Sequence, residues 1–219
     1  MRNARSTPIA SAAPRRPASS VVEDYLKAVY THQEWRGTPV SSSQLATRLG
    51  LAPSTVTEMV KKLVAMELVR HAPYGAITLT PEGEREALRI LRRHRLVETW
   101  LVERCGYGWD EVDDEAEILE HAMSDRLLEE LAEQLGQPAR DPHGDPIPSR
   151  DGVIVRPDGI LLADAARGYR GRIVRIDDAD ADVLRRLAAA GAGLDSVVVA
   201  GQLDAQVEGA VWIAPPSAR

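Results

Sequence analysis

At 219 residues, with 27 Lys/Arg against 33 Asp/Glu and a formal net charge of −6, the chain exceeds one minimal module and points to a larger unit with a small appendage. A single cysteine, Cys105, excludes an internal disulfide and a cysteine-based zinc site. No run approaches the roughly 18 apolar residues of a membrane span, and residues 1–20 hold Arg, Pro and Ser but no apolar signal core, so a chain of the reducing cytoplasm without a membrane partner is expected.

Charge is unevenly placed. Residues 1–80 hold 10 Lys/Arg against 5 Asp/Glu, residues 81–150 hold 9 against 18, and residues 151–219 hold 8 against 10. A basic front before a strongly acidic middle points to nucleic-acid contact and cation binding in different parts of the chain. Residues 1–19 read as a disordered basic arm.

From Val21 to Trp35, apolar Val22, Tyr25, Leu26, Val29 and Tyr30 recur at helical spacing, and Gly37 and Pro39 end the helix. The run Ser41–Ser43 caps a second, short helix that stops at Gly50, and a third begins at Pro53 or Ser54. In the third, Val56, Met59, Val60, Leu63 and Val64 form an inward stripe, leaving Ser54, Thr55, Thr57, Glu58, Lys61 and Lys62 outward. Leu68–His71 and Ala76–Thr80 read as the strands of a hairpin across Pro73-Tyr74-Gly75. Helix, short helix, turn, helix and hairpin is the order of a winged helix-turn-helix DNA-binding domain over residues 20–80, with a generic small α+β domain as the alternative. On the DNA reading Ser54, Thr55, Thr57 and Glu58 face bases, while Lys61, Lys62 and the wing near Tyr74 meet phosphate.

Thr80 caps a long helix that starts at Pro81 and runs to about Arg104. Gly106–Gly108 breaks it, and helical patterns follow at Trp109–His121 and Ser124–Leu135. The apolar positions of residues 81–140, among them Leu91, Leu96, Trp100, Leu101, Ile118, Leu119, Leu127, Leu128 and Leu131, exceed what a small winged domain covers, so some are expected to face a second subunit, with internal core the equal alternative for Trp100 or Leu101. Cys105 reads as core filler. Residues 141–158, rich in Pro, Gly and Asp, read as a linker. Beyond it Gly171–Ile176, Ser196–Val199 and Ala210–Ile213 read as strands, with a helix at Asp180–Ala190, giving a small β-rich domain over residues 159–219.

The acidic middle contains a constellation. In Glu115-Ala116-Glu117-Ile118-Leu119-Glu120-His121 the i, i+3, i+4 spacing places Glu117, Glu120 and His121 on one helical face, with Asp113 one turn earlier. Like charges so spaced repel, so they need solvent or a cation, and this segment alone leaves both readings open. His94 and Glu98, at i, i+4 on the preceding helix, add a second donor pair and favour the metal. His94 taken alone, beside Arg92, Arg93 and Arg95, reads as a surface residue or part of a basic patch. Glu-x-x-Glu-His is also one residue away from the His-x-x-Glu-His motif of inverzincin peptidases. No nucleophile or oxyanion donor accompanies it, and catalysis ranks below sensing.

Five segments together resemble the diphtheria toxin repressor family, within it the manganese transport regulators, from about Ser20 onward. They are Glu23-Asp24-Tyr25-Leu26-Lys27, Pro53-Ser54-Thr55-Val56-Thr57, Arg92-Arg93-His94-Arg95-Leu96-Val97-Glu98, Asp114 to His121, and Asp141-Pro142-His143-Gly144-Asp145-Pro146-Ile147-Pro148. The resemblance implies a homodimeric, mainly α repressor of metal-uptake genes. Its parts would be a winged helix, a helical dimerisation region and a flexible SH3-like (FeoA-like) β domain, and it would bind a palindromic operator and no small-molecule substrate. It implies a primary metal site of Asp24, Glu117, Glu120 and His121, and an ancillary site of His94, Glu98 and Asp113 with Asp178 or Asp182 nearby. Iron-responsive members look to carry Met and Cys where this sequence has Asp24 and Glu117, so Mn²⁺ is the expected cation, with Fe²⁺ or Co²⁺ as substitutes. Asp113 departs from the family, which has histidine there. An iron-dependent repressor, a metal-dependent hydrolase and a metal-independent winged-helix regulator are the rival readings.

Overall fold

The computed structural model describes residues 20–72 and 75–215. The basic arm expected over residues 1–19, and Pro73 and Tyr74 of the expected wing turn, lie outside the described residues.

The front of the chain is a three-helix unit with a hairpin. Helix α1 spans Ser20–Arg36, α2 Ser42–Leu49 and α3 Pro53–Ala65. Ser41 forms a full capping box with Gln44, and Gly50, at φ 64°, closes α2 in the left-handed conformation that glycine adopts without a Cβ penalty. Strands β1 (Val69–His71) and β2 (Ile77–Leu79) pair antiparallel, and β2 also bridges to Val40. Tyr25, Leu26 and Val29 of α1 share one core with Val56, Val60 and Leu63 of α3 and with Ile77. This is the winged helix-turn-helix read from the sequence.

Helix α4 (Pro81–Trp100) begins with Thr80 as N-cap and Pro81 in the first turn. Gly83 lets this end lie against the hairpin, because a Cβ there would sit 1.9 Å from the Leu68 carbonyl oxygen. The helix does not run unbroken to Arg104: its last turn, Leu101–Cys105, widens to a π-helical turn before Gly106. Cys105 is exposed, which corrects its reading as core filler. Helices α5 (Val112–Glu120) and α6 (Asp125–Gln134) follow. The cores around them are small, one built on Leu96 and Leu128 and one on Val97, Leu101, Val112 and Ala116. Ile118 is 68% exposed and Leu127 49%, as expected of a face that a partner covers.

Residues 159–215 fold as a four-stranded antiparallel sheet in the order β3-β6-β4-β5, from β3 (Ile160–Leu161), β4 (Arg170–Ile176), β5 (Val197–Val199) and β6 (Val211–Ala214). Helix α7 (Ala181–Ala189) and the short α8 (Ala205–Glu208) pack on it through Val183, Leu184, Leu187 and Val207. A bulge between Ile173 and Arg175 in β4 re-aims the strand. Arg175 emerges between two indoles, its guanidinium carbon 4.4 Å from the ring centre of Trp212 and 5.1 Å from that of Trp35 on α1.

The stretch expected as a linker is not an exposed tether over its first half. Asp141, His143, Asp145, Pro146 and Ile147 are buried. Gly144, at φ 94°, makes this possible, since a Cβ there would lie 2.2 Å from the Val174 carbonyl oxygen. Asp145 is the hub of the crossing. It accepts from Trp35 Nε1 at 2.6 Å and Arg175 Nε at 3.0 Å, and lies 3.6 Å from Arg95.

Candidate metal centre and DNA interface

Two helices in contact with α4 meet at the centre. Helix α1 is buried along nearly its whole middle, yet carries Glu23, Asp24 and Lys27 on the side facing α5. At the end of α5, His121 stands between two carboxylates, Nδ1 2.8 Å from Glu23 Oε2 and Nε2 2.9 Å from Asp24 Oδ1. With Nδ1–H donated to Glu23, Nε2 is left to face Asp24 and Glu120 Oε1, the latter 3.4 Å away. Asp24, Glu117, Glu120 and His121 each offer a donor atom, all within 4.8 Å of one another.

Lys27 enters the same cluster. Its ammonium donates to Glu117 Oε1 at 2.5 Å and Glu120 Oε1 at 2.7 Å, and lies 3.4 Å from His94 Nδ1. Burial pulls its pKa down, but Glu120 and Glu117 outweigh burial and hold it above the ordinary lysine value. Glu120, fully buried, would be pushed up by desolvation, but its bonds to His94 and Lys27 bring it below the usual carboxylate range.

His94 links this cluster to a second one. Its Nδ1 lies 2.7 Å from Glu120 Oε2, and its Nε2 3.2 Å from Asp113 and 3.5 Å from Glu98. Desolvation opposes its protonation, but Glu98, Asp113 and Glu120 raise its pKa well above 6.5. Glu98 is completely buried, and neither of its oxygens has a hydrogen-bond partner. It sits with Asp141 and His143 in one group of donors and with Asp113 and Asp178 in another.

His143 gives Nε2 to the Trp109 carbonyl at 2.6 Å, while its Nδ1 has no hydrogen-bond partner and faces Glu98 and Asp178, each at 3.8 Å. Burial disfavours its charge, but Glu98 and Asp178 lift its pKa to about 9. Desolvation and the neighbouring Glu98 carry Asp178 up to about 6, against the pull of His143. A buried carboxylate without donors beside an imidazole nitrogen without a partner needs a proton or a cation between them. The oxygen-rich donor set with imidazole fits a divalent metal.

All seven residues expected as metal ligands, Asp24, His94, Glu98, Asp113, Glu117, Glu120 and His121, therefore fall in one connected region. Of the two looser possibilities, Asp178 reaches it; Asp182 does not, being exposed and paired with Arg185 on α7. Glu23, Lys27, Asp141 and His143 were not expected there. Nor are Arg92, Arg93 and Arg95 a surface patch. They are buried, and Arg95 forks onto Glu34 at 2.6 and 3.2 Å while donating to the Pro146 carbonyl at 2.7 Å.

In the winged unit, Ser54, Thr55, Thr57, Glu58, Lys61 and Lys62 of α3 are all exposed. Thr57 returns its hydroxyl to the Pro53 carbonyl at 2.8 Å, and Lys61 pairs with Glu58 at 2.7 Å. The face presents hydroxyls and amines along a helix that a major groove accommodates.

Comparison with known proteins agrees. Residues 18–77 match the N-terminal DNA-binding domain of iron-dependent repressors, and residues 80–149 their metal-binding and dimerisation domain. A helix-turn-helix transcriptional regulator of Methanocaldococcus jannaschii is 41% identical over 113 residues, 52% of this chain and 90% of the relative. The diphtheria toxin repressor of Corynebacterium efficiens is 33% identical over 163 residues, 71% of this chain and 70% of the relative. A solved manganese-dependent transcriptional repressor in complex with manganese superposes with a TM-score of 0.83 at 43% identity, covering 89% of this chain and 99% of that one. These are transcriptional regulators, two of them repressors, rather than enzymes, so the hydrolase reading falls away. The chain belongs to the diphtheria toxin repressor family, the metal-dependent, DNA-binding transcriptional repressors.

Proposed function

We propose that this repressor is activated by manganese, and that the activating ion is held by Asp24, Glu117, Glu120 and His121. One observation carries the reading: Asp24 comes from the DNA-binding unit and the other three from α5, yet their donors lie within 4.8 Å of one another. A divalent ion there would neutralise the crowded carboxylates and join α1 to α5. Glu23 fixes the His121 ring so that Nε2 faces inward. Two winged units tied in this way to a dimerisation region would hold their recognition helices at the roughly 34–36 Å spacing of operator half-sites.

Three carboxylates and one imidazole suit Mn²⁺, whereas sulfur donors would favour softer ions. The similarity to a manganese repressor supports this choice. Around the primary site, His94, Glu98, Asp113, His143 and Asp178 form an ancillary centre. Ser54, Thr55, Thr57 and Glu58 read bases, and Lys61 and Lys62 meet phosphate. Residues 20–80, 81–140 and 159–219 act as DNA-binding, dimerisation and accessory units, with 141–158 joining the last two. Among the described residues no helix is long and apolar enough to cross a membrane. As a repressor that works on operator DNA, the protein would act in the cytoplasm.

The test is an operator-binding titration with Mn²⁺, Fe²⁺ and chelator, for wild type and the double variant Asp24→Met, Glu117→Cys. The concentration of Mn²⁺ for half-maximal binding should rise more than that of Fe²⁺. An unchanged ratio in a folded, responsive variant removes the case for manganese.

A further inference from the structure

We propose that Lys27 is a built-in competitor of the activating cation, whose ammonium group sets the metal concentration at which the repressor switches on. The proposal rests on the primary site described above. Asp24 and Lys27 lie one turn apart on α1 and enter the same cluster with opposite charge, Asp24 at His121 and Lys27 at Glu117 and Glu120. The decisive atom is Glu120 Oε1, which lies 2.7 Å from the Lys27 ammonium and 3.4 Å from His121 Nε2. A cation bonded to His121 therefore draws on an oxygen that Lys27 already holds. Glu117 Oε1 is held in the same way at 2.5 Å.

The Lys27 side chain is 11% exposed and that of Glu120 is fully buried, while Glu117 is 42% exposed, so water screens the ammonium from an incoming ion least on the Glu120 side. Two positive charges on one pair of oxygens repel, and the metal must displace Lys27 or bind against it. A cleft of about 810 Å³, lined by Lys27, Thr31, Thr47 and Glu98 among others, opens beside the ammonium and gives the flexible lysine stem room to withdraw. In the metal-free chain the same ion pairs keep α1 and α5 together, so the donors stay gathered without the metal. A monovalent ion gains nothing over the resident ammonium, whereas a divalent one brings twice its charge.

The test uses the full chain as wild type, Lys27→Met, Lys27→Gln and Asp24→Asn. Each is loaded with Mn²⁺ and titrated with a competing chelator, and each is also melted without metal. Starting from loaded protein keeps the measurement possible for a variant that does not fold metal-free. Both Lys27 variants should hold Mn²⁺ roughly tenfold or more tightly than wild type. Their metal-free melting temperature should fall, because Glu120 loses its buried counter-charge. Asp24→Asn should bind more weakly. Equal or weaker affinity in both Lys27 variants, with Asp24→Asn weakened, overturns the proposal and leaves Lys27 a structural residue. Unchanged affinity in Asp24→Asn removes the primary site itself, and the proposal with it.

Discussion

Replacing Arg175 with Met tests how firmly the β domain is fastened to the DNA-binding unit. The methionine keeps an apolar stem between Trp35 and Trp212 but loses the guanidinium. One charge-assisted hydrogen bond to Asp145 disappears, at about 1.5–3 kcal/mol, together with two cation–π contacts of about 0.5–2 kcal/mol each. Asp145 is not orphaned, since Trp35 Nε1 still donates at 2.6 Å and Arg95 lies 3.6 Å away. The net loss should therefore be near the low end, about 3 kcal/mol, or a fall of about 6–12 °C in melting temperature for a chain of this length. Tryptophan fluorescence reports the site directly, because two of the four tryptophans flank Arg175. Urea titrations of wild type, Arg175→Met, Asp145→Asn and the double variant close a cycle in which the coupling energy should exceed about 1.5 kcal/mol. A coupling under about 0.5 kcal/mol, or fluorescence that does not change, would refute the inter-domain clamp.

Changing Lys61 and Lys62 to Ala should weaken binding to all DNA sequences alike and lower the salt slope by about one unit per lost phosphate contact, read from binding isotherms at several salt concentrations; metal affinity should stay as it was. Ile118→Asp, on the exposed face of α5, should shift the dimer toward monomer in sedimentation runs with little loss of subunit stability. In chelator, stability should fall as pH rises. The folded-state pKa of His143 is raised to about 9, so its contribution is fully present below about 6.5, is lost through about pH 9, and amounts to at most about 3 kcal/mol. Denaturant midpoints across that window measure it. Asp178, raised to about 6, adds a penalty that builds up between about pH 4 and 6 and stays constant above it.

The winged helix and the donor face of α5 were legible because both depend on local periodicity. Capping serines, Pro and Gly mark the short helices, and i, i+3, i+4 spacing puts Glu117, Glu120 and His121 side by side. Lys27 was hidden by its place in an apolar helix, where a lysine reads as a solvated charge. Arg92, Arg93 and Arg95 misled for the same reason, since they are buried against partners distant in sequence: Pro148 and Glu129 for Arg92, Asp125 for Arg93, Glu34 and Pro146 for Arg95. Asp141 and His143 carry turn composition, and nothing local reveals that Gly144 lets their loop press against β4. Strand β3 and helix α8 are too short for periodicity to register.

Helix α1 has no idle side. One flank presents Asp24 and Lys27 to the acidic cluster, and the other, through Tyr25, Leu26 and Val29, belongs to the same core as Val56, Val60 and Leu63 of α3. Close-packed side chains scarcely compress, so a displacement imposed at one flank is passed on through the shared core. The core of this domain thereby doubles as its transmission. A cavity opened there, as by Val29→Ala, should slacken the relay as well as lower stability, and operator affinity at saturating metal should fall further than in a variant equally destabilised within the β domain.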